Sequence, residues 1–228
     1  MPATIYEAIW IFFIYAFIGW CTEVSYVGLN EGHFVNRGFL SGTYCPIYGF
    51  GVLLVVSLLT PIKNNLLLLF LGSVALTTLL EYLTGLILDK IFKQRWWDYS
   101  DVPFNIQGYV CPKFAVFWGL GCMFVVRVLH PHILTVIHWL NGQAGKFMLG
   151  VAIIIFVLDF LAAVDIAWDK RRDIVALERV ANSVKNVSDG IGKGVYVGVS
   201  AVADKVGDAK ELVEKIKEER RSVKDGDR

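Results

Sequence analysis

The sequence predicts an all-α fold: a polytopic membrane helical bundle of about five spans, followed by a cytoplasmic amphipathic tail. Three observations predict it. Hydrophobic residues make up 55% of the 228, with a mean hydropathy of +0.53, far above that of a water-soluble domain. The apolar residues fall in runs long enough to cross a bilayer, which takes about 20 residues of helix. Charged residues are sparse up to about Asp169 and crowd the remainder, so the chain divides into a transmembrane domain, 1–169, and a tail, 170–228.

The first run follows "MPATIYEAIW", which has neither a basic segment nor a small-residue cleavage site and so reads as a retained span. Spans must be helices, because lipid offers no partner to an unpaired backbone group. Five segments qualify, at about 5–27, 40–60, 65–88, 110–129 and 147–168. "HPHILTVIHWLNG", ahead of the fifth, is too short and too polar to cross and reads as an interfacial helix anchored by Trp139. With the N-terminus outside, the inner side collects Arg37, Lys90, Lys93, Arg95, Lys113, Lys170, Arg171 and Arg172, against Lys63, Arg127 and Lys146 outside. The excess of inner basic residues predicts a cytoplasmic tail in the cell membrane's multi-pass arrangement.

In the tail, Val184, Val187, Ile191, Val195, Gly198, Val202, Val206, Ala209 and Val213 recur with an 11-residue period, which keeps an apolar stripe straight along a helix. Lysines flank the stripe, as on a helix lying on the inner leaflet. Gly190, Gly192, Gly194 and Gly198 lower its helicity, so it is expected to be disordered in water and helical on lipid or a partner.

Apart from Glu7 at the start of the first, the spans carry four acids: Glu23, Glu81, Asp159 and Asp165. Each costs roughly 2.5–3.5 kcal/mol to insert, so such groups face a bundle interior or a wet cavity. Glu23 and Asp165 lie near enough to span ends to reach the interface instead. Glu81 and Asp159 are the stronger interior candidates, and Glu81 is expected to be buried with a polar or basic partner.

Spans 1–2 and 3–4 follow one plan. Glu23 is followed by Asn36-Arg37-Gly38, Cys45-Pro46 and Tyr48-Gly49; Glu81 is followed by Asn105-Ile106-Gln107-Gly108, Cys111-Pro112 and Trp118-Gly119. The acidic helices run the same way, so this would be a parallel repeat with a site between its halves. Proline just inside a helix start loses no needed donor, and Asn and Gly suit the turns before it. "NRGFLSGTYCPIYG" therefore reads as a loop folding back into the bundle, a wall or gate. The other loop, "DKIFKQRWWDYSDVPFNIQG", puts Asp98 and Asp101 beside the membrane. Pairing Asp98 with Arg37 across the loops would lower the cost of both charges and gather Asn36, Tyr48, Tyr99 and Asn105 into one patch.

"FIGWCTEVSY", "FVNRGFLSGTYCPIYGFG" and "WWDYSDVPFNIQG" together resemble the bacterial membrane-protein family known as ABC-transporter type IV, or CmpB-like, over roughly residues 5 to 130. The matched positions are Gly19, Trp20, Glu23, Asn36, Arg37, Gly38, Pro46, Tyr48, Gly49, Trp97, Asp98, Tyr99, Ser100, Asn105 and Gly108; after Gly108 the sequence departs from the pattern with "YVCPKF". The resemblance implies a multi-pass permease component, with these residues and Asp159 as a pathway or structural polar site.

No G-x-x-x-x-G-K-[ST] phosphate loop is present, so a permease would need a separate cytoplasmic ATPase on its loops or tail. Beside that subunit, the partners expected are the lipid bilayer and, compatibly with the length, further copies of the chain; nothing points to nucleic acid. No serine or cysteine has a visible base, so an enzyme is not expected. His130, His132 and His138 have a spacing a metal could use but lack a nearby carboxylate. Cys45, Cys111 and His33 could gather at the inner face as a thiol-metal site, though the four cysteines show no C-x-x-C pattern; neither metal nor cofactor is expected. The second reading is a non-transporting scaffold or envelope stress protein whose tail binds the inner leaflet. A cavity reaching Glu81 and Asp159 would favour transport; a filled bundle with the acids capped by hydroxyls would favour the scaffold.

Overall fold

The computed structural model describes residues 2–36, 39–93, 95–167 and 175–226. Helix α1 (Ile5–Glu31) starts where the Thr4 hydroxyl accepts the Glu7 amide and stops at Gly32, whose φ of 73° turns the chain out of the helix. Helix α2 (Pro46–Leu59) begins on its proline and tightens into a 3-10 turn, Thr60–Ile62. Helix α3 (Leu66–Phe92) is capped by Asn65, whose carbonyl accepts the Leu68 amide, and ends on Lys93 in the left-handed region. Helix α4 (Pro112–Phe124) again begins on a proline, so the departure at "YVCPKF" leaves the helix start intact.

Four helical stretches are long and apolar enough to cross a membrane: Ile5–Glu31, Leu66–Phe92, Pro112–Trp139 and Gln143–Asp165. The second expected span is the shorter apolar helix Pro46–Ile62, and the residues just before it belong to a loop. The expected interfacial helix is corrected. A π turn at Val125–Leu129 joins α4 to α5 (His130–Trp139), so the segment prolongs the fourth span. Pro131 cannot donate and crowds the preceding turn, and a locally widened helix gives it room without breaking the rod. His130 and Ile137 are buried against α1, while Trp139 at the end is exposed.

Helix α6 (Gln143–Ala167) and the long α7 (Val175–Gly226) complete the chain. The strongest packing lies within the α1–α2 and α3–α4 hairpins, and α2 against α3 joins the two. Both crossings use a glycine. A Cβ on Gly49 would stand 2.7 Å from the Phe12 carbonyl oxygen, and one on Gly119 would stand 2.9 Å from the Phe70 ring. Phe12 and Phe70 each precede their helix's glutamate by eleven residues, so the two hairpins cross in the same register. The parallel repeat is thus a feature of packing as well as of sequence order.

The ends of the bundle are distinct. At the first, the Tyr6 hydroxyl donates to the Leu140 carbonyl and Glu7 meets His138 at 3.1 Å. The other is the loop end, where α1 and α3 finish and α2 and α4 begin. There α7 packs against α1 and α6. Its contact face takes in only part of the valine stripe: Val195 packs against Trp20, Val24 and Cys45. Ala181, Ser188 and Gly192 are buried, whereas Val187, Ile191, Val202 and Val206 stay exposed. Gly192 lets the Phe34 ring and Trp20 close on the helix, and Tyr196 fits over Gly28 and donates to the Gly32 carbonyl at 2.7 Å. The tail's partner in this structure is therefore the bundle itself.

Candidate functional site: two folded-back loops and three acids

Both loops at the loop end climb back along the helix they leave. The first is pinned when the Cys45 amide donates to the Ala16 carbonyl at 2.9 Å, about midway along α1. This sets Pro46 deep in the bundle and explains why α2 is short. Asp159, fully buried on α6, gathers the same loop. It accepts the Ser41 amide at 3.3 Å, the Gly42 amide at 2.8 Å and the Tyr44 hydroxyl at 2.9 Å. Burial, then the Asp159 charge, raises the Tyr44 phenol well above its ordinary range, so it stays a donor. Asn36 accepts the Trp20 indole at 3.0 Å and turns its amide toward Ser41, Ser188 and Asp189, tying loop and tail together.

The second loop holds itself. Asp98 accepts the Ser100 amide and hydroxyl and pairs with Arg95 at 3.3 Å. Arg95 also reaches Asp89 and lies 4.9 Å over the Tyr109 ring. The Asn105 side chain donates to the Ser100 and Val102 carbonyls and accepts the Gly108 amide. Gly108 sits at φ 75°, and a Cβ there would meet the Asp98 carboxylate, the Ser100 hydroxyl and Arg95 together. Trp97 donates to the Tyr109 carbonyl, and both rings close on Gly85 of α3. The Ser100 donors, then Arg95, hold the Asp98 carboxyl below the usual carboxylate range.

Between the hairpins lies the second pair of acids. The Tyr48 hydroxyl donates to Glu23 at 2.6 Å, and Tyr99, stacked on Phe114, donates to Glu81 at 3.0 Å. Tyr48 meets Trp118 edge-on at 5.4 Å, so the corresponding Tyr-Gly and Trp-Gly steps of the repeat touch. The structure thus brings together Glu23, Tyr48, Glu81 and Tyr99, with Gly49 at the crossing beside them. It does not bring Asn36 or Asn105 to that group, since each is held in its own loop. Arg37 and Gly38 lie outside the described residues; Asp98 has Arg95 as its ion-pair partner.

Several participants carried no obvious mark in the sequence. Tyr44 and Trp118 could have been found from their places beside Cys45-Pro46 and in the Trp-Gly step of the repeat. Ser188 and Asp189 had no such signal. His130 faces the Tyr15 hydroxyl at 3.5 Å and His138 faces Glu7. Among the described residues, no three His, Cys, Asp or Glu side chains stand close enough to hold a metal. An open groove of about 430 Å3 runs beside α1, lined by Ile18, Cys21, Thr22, Ser25, Tyr26 and Leu29, away from the three acids.

Long apolar helices, repeated hairpins and acids enclosed by folded-back loops define a multi-pass α-helical membrane protein. More narrowly, the chain belongs to the family described as putative ABC-transporter type IV, whose model matches residues 10–164. The match covers both hairpins and most of α6, Asp159 included, and stops short of α7. No curated protein and no solved structure matches the chain.

Proposed function

We propose that this protein is the permease-type, membrane-spanning subunit of a transport system, resting in an occluded arrangement and driven by a separate cytoplasmic ATPase. The observation that carries the reading is the junction of the repeated hairpins, where Glu23 and Glu81 each accept a phenol from their own hairpin, Tyr48 and Tyr99, and Tyr48 meets Trp118 across the junction. Paired repeats with acids at their interface suit a pathway that opens by rocking one half against the other. The family supports the transport class. The basic-residue distribution supports an outside N-terminus and a cytoplasmic tail in the cell membrane. The sequence carries no phosphate loop, which supports a separate subunit as the source of ATP hydrolysis. The apolar stripe left exposed on α7, with Lys185, Lys193 and Lys205 beside it, supports contact with the inner leaflet.

A second reading, a non-transporting scaffold, has its own support: each of Glu23, Glu81 and Asp159 accepts a tyrosine hydroxyl, as in a filled bundle. Purification in mild detergent separates the two. Transport predicts that a subunit with a phosphate loop co-purifies in fixed ratio and that its ATP hydrolysis falls several-fold in Glu23→Gln. A homogeneous preparation free of nucleotide hydrolysis, from cells in which the protein is active, would leave the scaffold. Orientation is tested by labelling a cysteine placed at Asp204 with an impermeant reagent. Reaction in intact cells would refute a cytoplasmic tail.

A further inference from the structure

The three acids are not equally satisfied. Both oxygens of Asp159 accept hydrogen bonds. Glu81 accepts one bond, from Tyr99 to Oε1, while its Oε2 is buried without a hydrogen-bond partner. The residue is 8% exposed, and this oxygen is shut off from bulk solvent. The groups facing it come from every neighbouring element: Glu23 on α1, Tyr48 on α2, Tyr99 on the second loop, Trp118 on α4, with Cys111 beside Tyr99. The Trp118 indole approaches the same carboxyl, yet no bond of normal geometry reaches Oε2. None of these described neighbours is a cation.

An ionised carboxylate with one bare oxygen, in a low-dielectric interior and beside a second carboxylate, is strongly disfavoured. Phenols donate hydrogen bonds but supply no charge. A single positive charge on Oε2 would satisfy the oxygen and offset the repulsion from Glu23. Glu23 is only partly buried and stands eight residues before the end of α1, so it is the member of the pair nearer the loop end.

We propose that Glu81, with Glu23 as its outer partner, forms a site for one exchangeable small cation, a proton or an alkali ion, seated at Glu81 Oε2. The inference goes beyond the transport reading and stands without it, because a scaffold could hold the same site. Its test therefore measures binding alone.

Thermal stability of the purified full chain in detergent is followed from pH 5 to pH 9 with N-methylglucamine as the only other cation, then with added sodium or potassium at fixed pH. The wild type is expected to show one transition, absent in Glu81→Gln and displaced about tenfold in Glu23→Gln, the size of one charge interaction near the site. A transition in proton concentration that ignores sodium and potassium identifies a proton, and a carboxylic-acid infrared band missing from Glu81→Gln supports it. A transition in alkali concentration at constant pH identifies the metal cation. Tyr99→Phe keeps the carboxyl and removes its donor, so its transition should move about tenfold toward tighter cation binding even if Glu81→Gln folds poorly. Coincident curves for wild type, Glu81→Gln and Tyr99→Phe in both titrations would overturn the proposal. So would a transition that emerges only in Arg37→Gln, which would make Arg37 the resident charge.

Discussion

Replacing Asp159 by alanine should undo the first loop before it undoes the bundle. The carboxylate is fully buried and accepts two backbone amides and one phenol, from Ser41, Gly42 and Tyr44. Hydrogen bonds to a charged acceptor contribute about 1.5–3 kcal/mol each, and removing the acceptor also strands three donors, one buried and two half-buried. The desolvation cost of the carboxylate is recovered at the same time, so the bonds do not simply add. The expected net loss is about 3–5 kcal/mol, the range for breaking a buried charged network by deleting one side. Asp159→Asn should cost less, about 1–3 kcal/mol, since the amide oxygen can still accept while its nitrogen now opposes a donor.

Hydrogen exchange read by mass spectrometry reports this directly, because the Ser41 and Gly42 amides are themselves the donors. Their exchange in Asp159→Ala should accelerate by two orders of magnitude or more, as about 3 kcal/mol implies, while α3 and α4 peptides change far less. Tyr44→Phe alone should lose about 1.5 kcal/mol, and adding it to Asp159→Ala should lose almost nothing further, because the bond is already gone. Unchanged protection of Ser41 and Gly42 in Asp159→Ala, or fully additive losses in the double variant, would refute the reasoning.

Three further outcomes are expected. Gly49→Ala should destabilise the α1–α2 hairpin by about 1–3 kcal/mol, since its Cβ meets the Phe12 backbone, whereas Gly121→Ala meets nothing within 4 Å and should gain about 0.5–1 kcal/mol; melting temperatures in detergent decide both. Gly192→Val should push against the Phe34 ring and free the tail, seen as several-fold faster protease cleavage within α7 with the spans unaffected. Asp98 is held below the ordinary carboxylate range, so its clamp on Ser100 and Arg95 is present above the unfolded value and is lost as pH falls through the folded one. The protection factor of loop peptides 97–108, exchange taken relative to the intrinsic rate at each pH, should stay constant from about pH 7 to about pH 5 and fall only below about pH 4, and loosening already near neutrality would exclude Asp98 as the clamp.

The spans were legible because lipid imposes one rule everywhere: a run of apolar residues must be a helix of a certain length. That rule misjudged two places for the same reason. It weighs polarity and not surroundings. His130 and Pro131 read as span-breaking, yet a π turn accommodates the proline and the bundle encloses the histidine. Leu40 to Tyr44 read as part of a span, yet Asp159 and the Cys45–Ala16 bond hold them as a folded loop. The tail posed a different question. Its glycines were counted as helix-weakening, which they are in isolation, but Gly192 is where Phe34 and Trp20 come close enough to dock the helix.

The acids of the site were visible from their cost alone, and their partners were not, because the cost says only that a partner must exist. Tyr44 and Asp159 are 115 residues apart, Tyr48 and Glu23 only 25, and nothing in either spacing distinguishes a bond from a coincidence. What joins them is the return of each loop along its own helix, set by prolines at the starts of α2 and α4 that fix where a helix can begin. Had those helices begun at the membrane surface, Tyr48 and Trp118 would lie away from the glutamates and the acids would face each other bare. The folded-back loops are therefore what makes two carboxylates tolerable at the junction of the hairpins. The same closure leaves Glu81 one oxygen short of a partner, and that oxygen is the one a charge from outside the chain would satisfy.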